Sequence, residues 1–276
     1  MVKSIHDRAV LHNGVKMPWL GLGVYKAEEG QEVEQAIQYA LDAGYRSIDT
    51  AKLYENERSV GVAIRDSGIP REEIFVTTKV WNTDQGYEST LAAFQESLNK
   101  LELDYVDLYL IHWPVAGKYK DTWRALEEIY RQGKAKAIGV SNFNVSHLED
   151  LMTVATIKPM VNQVELHPRL TQKELLSYCK DNAIQLEAWR PLVKGEILQE
   201  PVLQKIADKH DKTTAQVVLR WNVQSGIVTI PKSVNESRIR ENADIFDFEL
   251  SAEDMLAIDG LNENKRNGAD PDNFDF

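Results

Sequence analysis

A single cysteine, Cys179, leaves no partner for an intramolecular disulfide and no basis for a cysteine metal cluster. Cations are outnumbered: 32 Lys and Arg stand against 43 Asp and Glu, a formal net charge of −11. That balance speaks against a nucleic-acid or anionic-membrane surface, because neutralising phosphates takes clustered Lys and Arg. No apolar run approaches the ~20 residues of a membrane span. The opening MVKSIHDRAVLHNGVKMP lacks the apolar core of a secretory signal, so nothing in it points to secretion. No low-complexity stretch or Pro/Gly/Ser-rich linker marks a boundary within the 276 residues. What remains is an ordinary globular composition, 43% hydrophobic and 27% charged, and the expectation of one cytoplasmic domain over 1–276.

Short apolar runs recur along the chain at 20–24, 45–48, 74–80, 106–111, 135–140, 160–164, 184–189 and 227–230. Many are rich in β-branched or aromatic residues, as strands buried on both faces are. Between them the period turns helical: Leu91, Phe94, Leu98 and Leu101 share one face, as do Trp123, Leu126, Ile129 and Tyr130. Helix starts are expected at Ser146-x-x-Glu149, Thr171-x-x-Glu174 and Thr213-x-x-Gln216, each a capping-box pattern. Gly44, Gly68 and Gly133 are expected at helix ends, where a left-handed residue is needed. Eight strands alternating with helices predict parallel βα units closed into a (β/α)8 TIM barrel rather than an open doubly wound sheet. Ahead of them, Asn13-Gly14 predicts a β-hairpin with a type I′ turn capping the N-terminal mouth. Extra C-terminal helices are expected at 235–243 and 251–261, followed by a tail to Phe276 that either closes over the pocket or frays.

In such a barrel the chemistry sits at the C-terminal strand ends. The second strand runs into Asp49, followed by Lys52 and Tyr54; the third ends at Lys79, before Trp81; the fourth ends at His112-Trp113-Pro114. Each has a plain structural reading, as a turn-capping Asp, a solvated Lys or a packed His. Together they have a sharper one. A partly buried Lys79 needs a carboxylate neighbour, which Asp49 can supply. A tyrosine beside that cation is expected to have its pKa lowered from about 10, which suits a general acid. The strand ends hold no His-x-His pair or His/Asp/Glu cluster with ligand spacing, which argues against a metallohydrolase.

The motifs 44–51 with 54–57, Leu108-Tyr-Leu-Ile-His-Trp-Pro114, Gly139-Val-Ser-Asn-Phe143 and Ile230-Pro-Lys-Ser233 stand in order along the chain. Over nearly its whole length the sequence resembles the aldo-keto reductases. Within them it is most similar to the prokaryotic branch of glyoxal/methylglyoxal reductases and 2,5-diketo-D-gluconate reductases. The resemblance implies a catalytic tetrad of Asp49, Tyr54, Lys79 and His112, and reduction of a small-molecule carbonyl, from aldehydes and α-dicarbonyls to keto sugars. It implies NADPH as cofactor. Ser141, Asn142 and Gln163 would hold the nicotinamide carboxamide, and Trp189 would stack on its ring. The stretch Arg190-Pro191-Leu192 would flank the pyrophosphate, Lys232, Ser233, Val234 and Arg238 the 2′-phosphate, and Asn242 the adenine. Gly21-x-Gly23 does not complete a Rossmann fingerprint. Tyr25, Trp81, His112 and Trp113 are expected around the substrate.

At Arg190 the family usually has Ser. The arginine is expected to meet the phosphates, to turn to solvent or to narrow the entrance, and the direction of Lys52 is open. A non-catalytic cofactor-binding subunit on the same barrel is the competing function, and the intact tetrad counts against it. A compact acidic barrel is consistent with a monomer.

Overall fold

The computed structural model describes residues 2–276. Two short antiparallel strands, β1 (Arg8–Val10) and β2 (Lys16–Pro18), precede eight parallel ones in chain order. These are β3 (Leu22–Gly23), β4 (Ser47–Asp49), β5 (Phe75–Val80), β6 (Val106–Ile111), β7 (Ala135–Ser141), β8 (Val161–Glu165), β9 (Gln185–Trp189) and β10 (Val228–Ile230). Each pairs with its sequence neighbour. The ring closes where Gly21 N–H donates to Thr229 O (3.0 Å) and Thr229 N–H to Trp19 O (3.0 Å), with parallel bridges Leu20–Thr229 and Gly23–Lys232. All eight expected strands are present, and the barrel is the expected one.

Helices α1 (Gln31–Asp42), α2 (Glu57–Asp66), α3 (Tyr87–Leu101), α4 (Tyr119–Arg131), α5 (Val145–Met152) and α6 (Lys173–Asp181) follow β3 to β8 in turn. The β9–β10 connection carries two helices, α7 (Pro201–His210) and α8 (Thr214–Gln224). After β10 come α9 (Glu236–Ala243) and α10 (Ala252–Asp259). Of the two late helices expected, α9 belongs to the eighth βα unit. The additions are α10 and, ahead of the last strand, α7, which packs against α8. A second helix inside a long connection has the same periodicity as a barrel helix, so sequence alone does not separate them.

The hairpin forms, but not with a type I′ turn. Gly14 N–H donates to Leu11 O (2.8 Å) and Leu11 N–H to Val15 O (2.9 Å), with only Gly14 of the loop at positive φ (87°). This is a three-residue loop, a type I turn followed by a left-handed glycine. Gly44, Gly68 and Gly133 do lie at helix ends with positive φ (94°, 70° and 72°). Of the capping boxes only Thr213–Gln216 is as expected: Thr213 N–H donates to Gln216 Oε1 (2.8 Å), and Gln216 N–H to Thr213 Oγ1 (3.3 Å). Helix α5 starts instead at Asn144, whose N–H donates to His147 Nδ1 (3.1 Å). Helix α6 starts after Gln172, whose amide is drawn to Glu165 O (3.0 Å), leaving Thr171 outside it. In both cases a neighbouring residue marks the helix start, Asn144 through a local bond and Gln172 with its side chain held by a tertiary one.

Gly61 sets how closely α2 and α3 approach, because a Cβ there would lie 2.1 Å from Leu101 O. Gly61→Ala gains about 1 kcal/mol in helix propensity. Forcing backbone off backbone costs about 1–3 kcal/mol or more. Because the clash is with backbone rather than a flexible side chain, the cost lies at the upper end of that range and the variant is expected to lose about 2 kcal/mol net in urea unfolding; equal or greater stability would show that the helices can move apart freely.

Candidate active site

The barrel brings the four tetrad candidates to one mouth. Asp49 is the last residue of β4, Lys79 lies one residue from the end of β5, and His112 follows β6 directly. Tyr54 ends a single 3-10 turn, Lys52–Tyr54, that folds the β4–α2 connection back over the strand ends. Thr50 Oγ1 donates to Asn56 Oδ1 (2.7 Å), and Asn56 Nδ2 donates to Val24 O and Ala27 O (3.0 Å each), which fixes that connection.

Lys79 is fully buried (0% exposed), and its ammonium has three acceptors: Asp49 Oδ1 at 2.6 Å, Thr50 O at 2.9 Å and Tyr54 Oη at 3.3 Å. Burial pulls its pKa down, but Asp49 and Tyr54 outweigh that and hold it above the ordinary value. It stays a cation. Tyr54 behaves otherwise than expected: its hydroxyl is pushed up to about 12. Loss of solvent, which penalises the phenolate, is the larger effect, and the attraction of Lys79 only partly offsets it. Burial, with the Lys79 charge added, holds His112 well below the usual imidazole value, so the ring is neutral at pH 7.

Gln163, in β8, donates from Nε2 to Asp49 Oδ2 (2.7 Å) and to Glu187 Oε2 (2.8 Å). With both amide hydrogens used on carboxyl groups, its oxygen is the end left to accept from a ligand. Asn142, in a left-handed conformation (φ 63°), donates to His112 O (3.0 Å) and Ser141 Oγ (3.1 Å). Its Oδ1 accepts from Trp189 Nε1 (2.9 Å), which sets that indole on edge at the β9 exit. Ser141 Oγ donates to Gln163 O (2.8 Å). The expected nicotinamide-side group is thus one network with the tetrad.

At the other end of the mouth, Lys232 and Arg238 are exposed and form no ion pair among the described residues. Arg240, in the same helix as Arg238, is instead engaged with Glu236 (2.9 Å). Ser233 is buried just ahead of α9, with Val234 half-buried beside it, and Asn242 is buried in the last turn of that helix. Free cations next to buried hydroxyl and amide groups fit a phosphate-bearing nucleotide. Lys52 is resolved away from the chemistry: its ammonium lies 3.0 Å from both Asp84 and Glu96. Arg190 turns to Asn267, with Nη1 3.0 Å from its carbonyl and its side-chain oxygen. Pro191 and Leu192 follow it into the β9–α7 loop.

The wall around Tyr54 and His112 is aromatic. Ring centroids lie 5.0 Å apart for Tyr25–Tyr54, 5.8 Å for Tyr54–His112 and 5.0 Å for Trp81–His112. The tail closes over it: Phe276 stacks on Trp81 (5.9 Å) and meets Trp113 edge-on (5.2 Å), and Phe274 lies 5.2 Å from Trp113. Asn82 Nδ2 fastens Phe276 O at 3.0 Å. Sequence reasoning did not single out Asn82, Glu165 or Glu187. An acidic residue inside an apolar strand run, as in Gln185–Trp189, is the signal that would have found Glu187.

A closed parallel barrel with a buried Asp–Lys–Tyr network at its C-terminal mouth defines a barrel oxidoreductase rather than a hydrolase, and comparison agrees. Residues 19–263 match the model of the Aldo/keto reductase family, and the chain belongs to it. It is 63% identical to "Glyoxal reductase" of Bacillus subtilis (strain 168) over 276 residues, the whole of both chains. It is 46% identical to "Methylglyoxal reductase DkgA" of Escherichia coli (strain K12) over 268 residues, 96% of each. A variant of Gox0644 in complex with NADPH superposes with a TM-score of 0.93 at 46% identity, covering 98% of each chain.

Glu187 is 1% exposed, and burial, with Asp49 adding to it, pushes its carboxyl up to about 8. An acid whose folded pKa is raised binds more protons folded than unfolded, so its stabilising contribution is complete below about pH 4.5 and is lost as pH rises to about 8. Glu187→Gln is expected to abolish that loss, its melting temperature gaining on the parent's from about pH 5 to about pH 8. Parallel curves across this range would place the Glu187 titration elsewhere.

Proposed function

We propose that this chain reduces aldehydes and α-dicarbonyls, glyoxal and methylglyoxal among them, to alcohols with NADPH. The observation that carries the reading is the Lys79 ammonium, held by Asp49 at 2.6 Å and turned on Tyr54 Oη at 3.3 Å. When bound, the nicotinamide supplies the hydride. The substrate oxygen is received between Tyr54 Oη and the neutral His112 ring, which orients it by a hydrogen bond. As negative charge gathers on that oxygen, Tyr54 gives up its proton, and Lys79 stabilises the tyrosinate left behind. A phenol at about 12 is fully protonated at neutral pH, and an alkoxide is a far stronger base, so the transfer runs downhill. Asp49 acts through Lys79, neutralising it and fixing its direction.

Ser141, Asn142 and Gln163 would hold the carboxamide, with Trp189 against the ring. Pro191 and Leu192 would line the pyrophosphate, and Lys232, Ser233, Val234 and Arg238 would receive the 2′-phosphate, with Asn242 at the adenine. The narrow Trp81–Trp113–Phe276 wall favours small carbonyls, as does the full-length similarity to a glyoxal reductase. One barrel carries every residue of the proposed site, and the same reading takes the protein as a single-domain monomer.

Tyr54→Phe is expected to lower kcat about 10²–10⁴-fold, while NADPH affinity by tryptophan quenching holds, because the phenol faces substrate. Near-normal single-turnover reduction of methylglyoxal by this variant would sink the proposal.

Cofactor choice is tested separately. Arg238→Ala is expected to raise the NADPH Michaelis constant about tenfold or more, since a charge-assisted phosphate contact contributes about 1.5–3 kcal/mol. NADH use should barely change; equal losses for both would remove the 2′-phosphate from this site.

A further inference from the structure

The C-terminal tail is a strap laid across the barrel mouth and fastened to several strand exits. Beyond β8, Arg169 O accepts from Glu263 N–H and Lys265 N–H (3.1 Å each). At the end of β8, the buried Glu165 carboxylate accepts from Asn267 N–H (2.6 Å) and Gly268 N–H (2.9 Å). Beyond β7, Asn144 Nδ2 donates to Asp272 Oδ2 (2.7 Å). Beyond β5, Asn82 holds Phe276 O. The β9 exit contributes one fastening, and it is Arg190.

We propose that Arg190 pins this strap to the wall of the cofactor site, and is thereby a positioning residue that limits the size of carbonyl admitted. Its Nη1 donates to both the backbone and the side-chain oxygen of Asn267, while the guanidinium carbon lies 5.2 Å from the Trp189 ring. Gly268, the next residue of the strap, is pressed on the same indole: a Cβ there would lie 2.5 Å from its Cη2. Trp189, Arg190, Asn267 and Gly268 thus form one stacked unit with Glu165 beneath. From it the strap runs to Phe274 and Phe276, which roof the pocket on Trp81 and Trp113. Where this family usually has a serine, a short hydroxyl has neither the reach nor the planar nitrogen fork for both oxygens of Asn267. Arg190 is therefore engaged by the strap, at a partly exposed edge of the site.

The consequence is a link between two walls of one site. With the strap pinned, the aromatic roof stays down and a methyl-sized group fits beneath it; with it loose, the roof lifts and a phenyl-sized group is admitted. This rests on the carbonyl-reductase reading above for its substrates, but its structural half can be measured without turnover.

The experiment compares the full-length parent with Arg190→Ser and Arg190→Lys, the latter keeping the charge without the fork. Amide hydrogen exchange over 266–276 is followed by mass spectrometry, and Michaelis constants with NADPH are taken for methylglyoxal and phenylglyoxal. In Arg190→Ser, exchange at Gly268 and the following residues should rise about fivefold or more, the loss of one net hydrogen bond. The Michaelis constant for phenylglyoxal should fall at least about threefold relative to methylglyoxal, with Arg190→Lys between serine and parent and NADPH affinity unchanged. Unchanged exchange, or raised exchange with an unchanged substrate ratio, overturns the proposal. So does an equal weakening of NADPH and NADH with exchange unaltered, which would return Arg190 to the pyrophosphate. If the parent itself reduces neither carbonyl, the functional reading fails while the exchange data still judge the strap.

Discussion

A lysine ammonium with no exposure to water is the constraint around which the mouth of this barrel is arranged. Removing such a charge from solvent costs several kcal/mol unless every one of its protons finds an acceptor. Lys79 has three protons and three acceptors, and they come from β4 and the turn that follows it. The barrel supplies the geometry. Adjacent parallel strands pair Asp49 with Thr77, which leaves Lys79 two residues further along on the same face, and the 3-10 turn after β4 brings Tyr54 back over both. The other Asp49 oxygen is not left idle, since Gln163 reaches it from across the barrel and is itself shared with Glu187. One ion pair therefore ties together side chains from β4, β5, β8 and β9.

Burial also decides the protonation states that the chemistry needs. The water-poor mouth disfavours any uncompensated charge: His112 is kept neutral, Tyr54 keeps its proton, and Glu187 is pushed towards its acid form. Lys79 stays a cation, because Asp49 at contact, with Tyr54 beside it, outweighs the loss of solvent. A tyrosine held protonated beside a fixed cation is better described as a loaded acid than as an activated phenolate. The cation stabilises the charge that appears once the proton has left.

The fold was legible because parallel barrel strands are buried on both faces and read as uninterrupted apolar runs, and all eight runs from 20–24 to 227–230 became strands. The four tetrad candidates could be grouped because Asp49 and His112 directly follow such runs, Lys79 stands one residue from the end of another, and Tyr54 lies in the turn after the second. Less legible was whatever depends on contacts distant in sequence. Ser146 and Thr171 have the local pattern of caps, yet Asn144 and Gln172 mark the helix starts, the latter through a bond to Glu165. The Tyr54 shift was misjudged in sign because a neighbouring cation can be read from sequence while loss of solvent cannot. Arg190 could be recognised as out of place, but its partner Asn267 lies 77 residues further on.

A chain of net charge −11 is an unfavourable host for a phosphate-rich cofactor if charge is taken as a whole. What matters is distance. At physiological ionic strength the field of a surface charge fades over about 8 Å. Acidic residues on the outer helices are thus largely screened at the mouth, whereas Lys232 and Arg238 stand at contact range of a phosphate placed there. A carboxylate on the same helix is also removed from competition, since Glu236 is taken by Arg240. The two cations without ion-pair partners among the described residues of this basic segment flank the start of α9, where unpaired backbone N–H groups add a further favourable field for an anion. Recognition of a nucleotide by an acidic barrel therefore requires no basic surface, only a few cations that the rest of the protein has not already used.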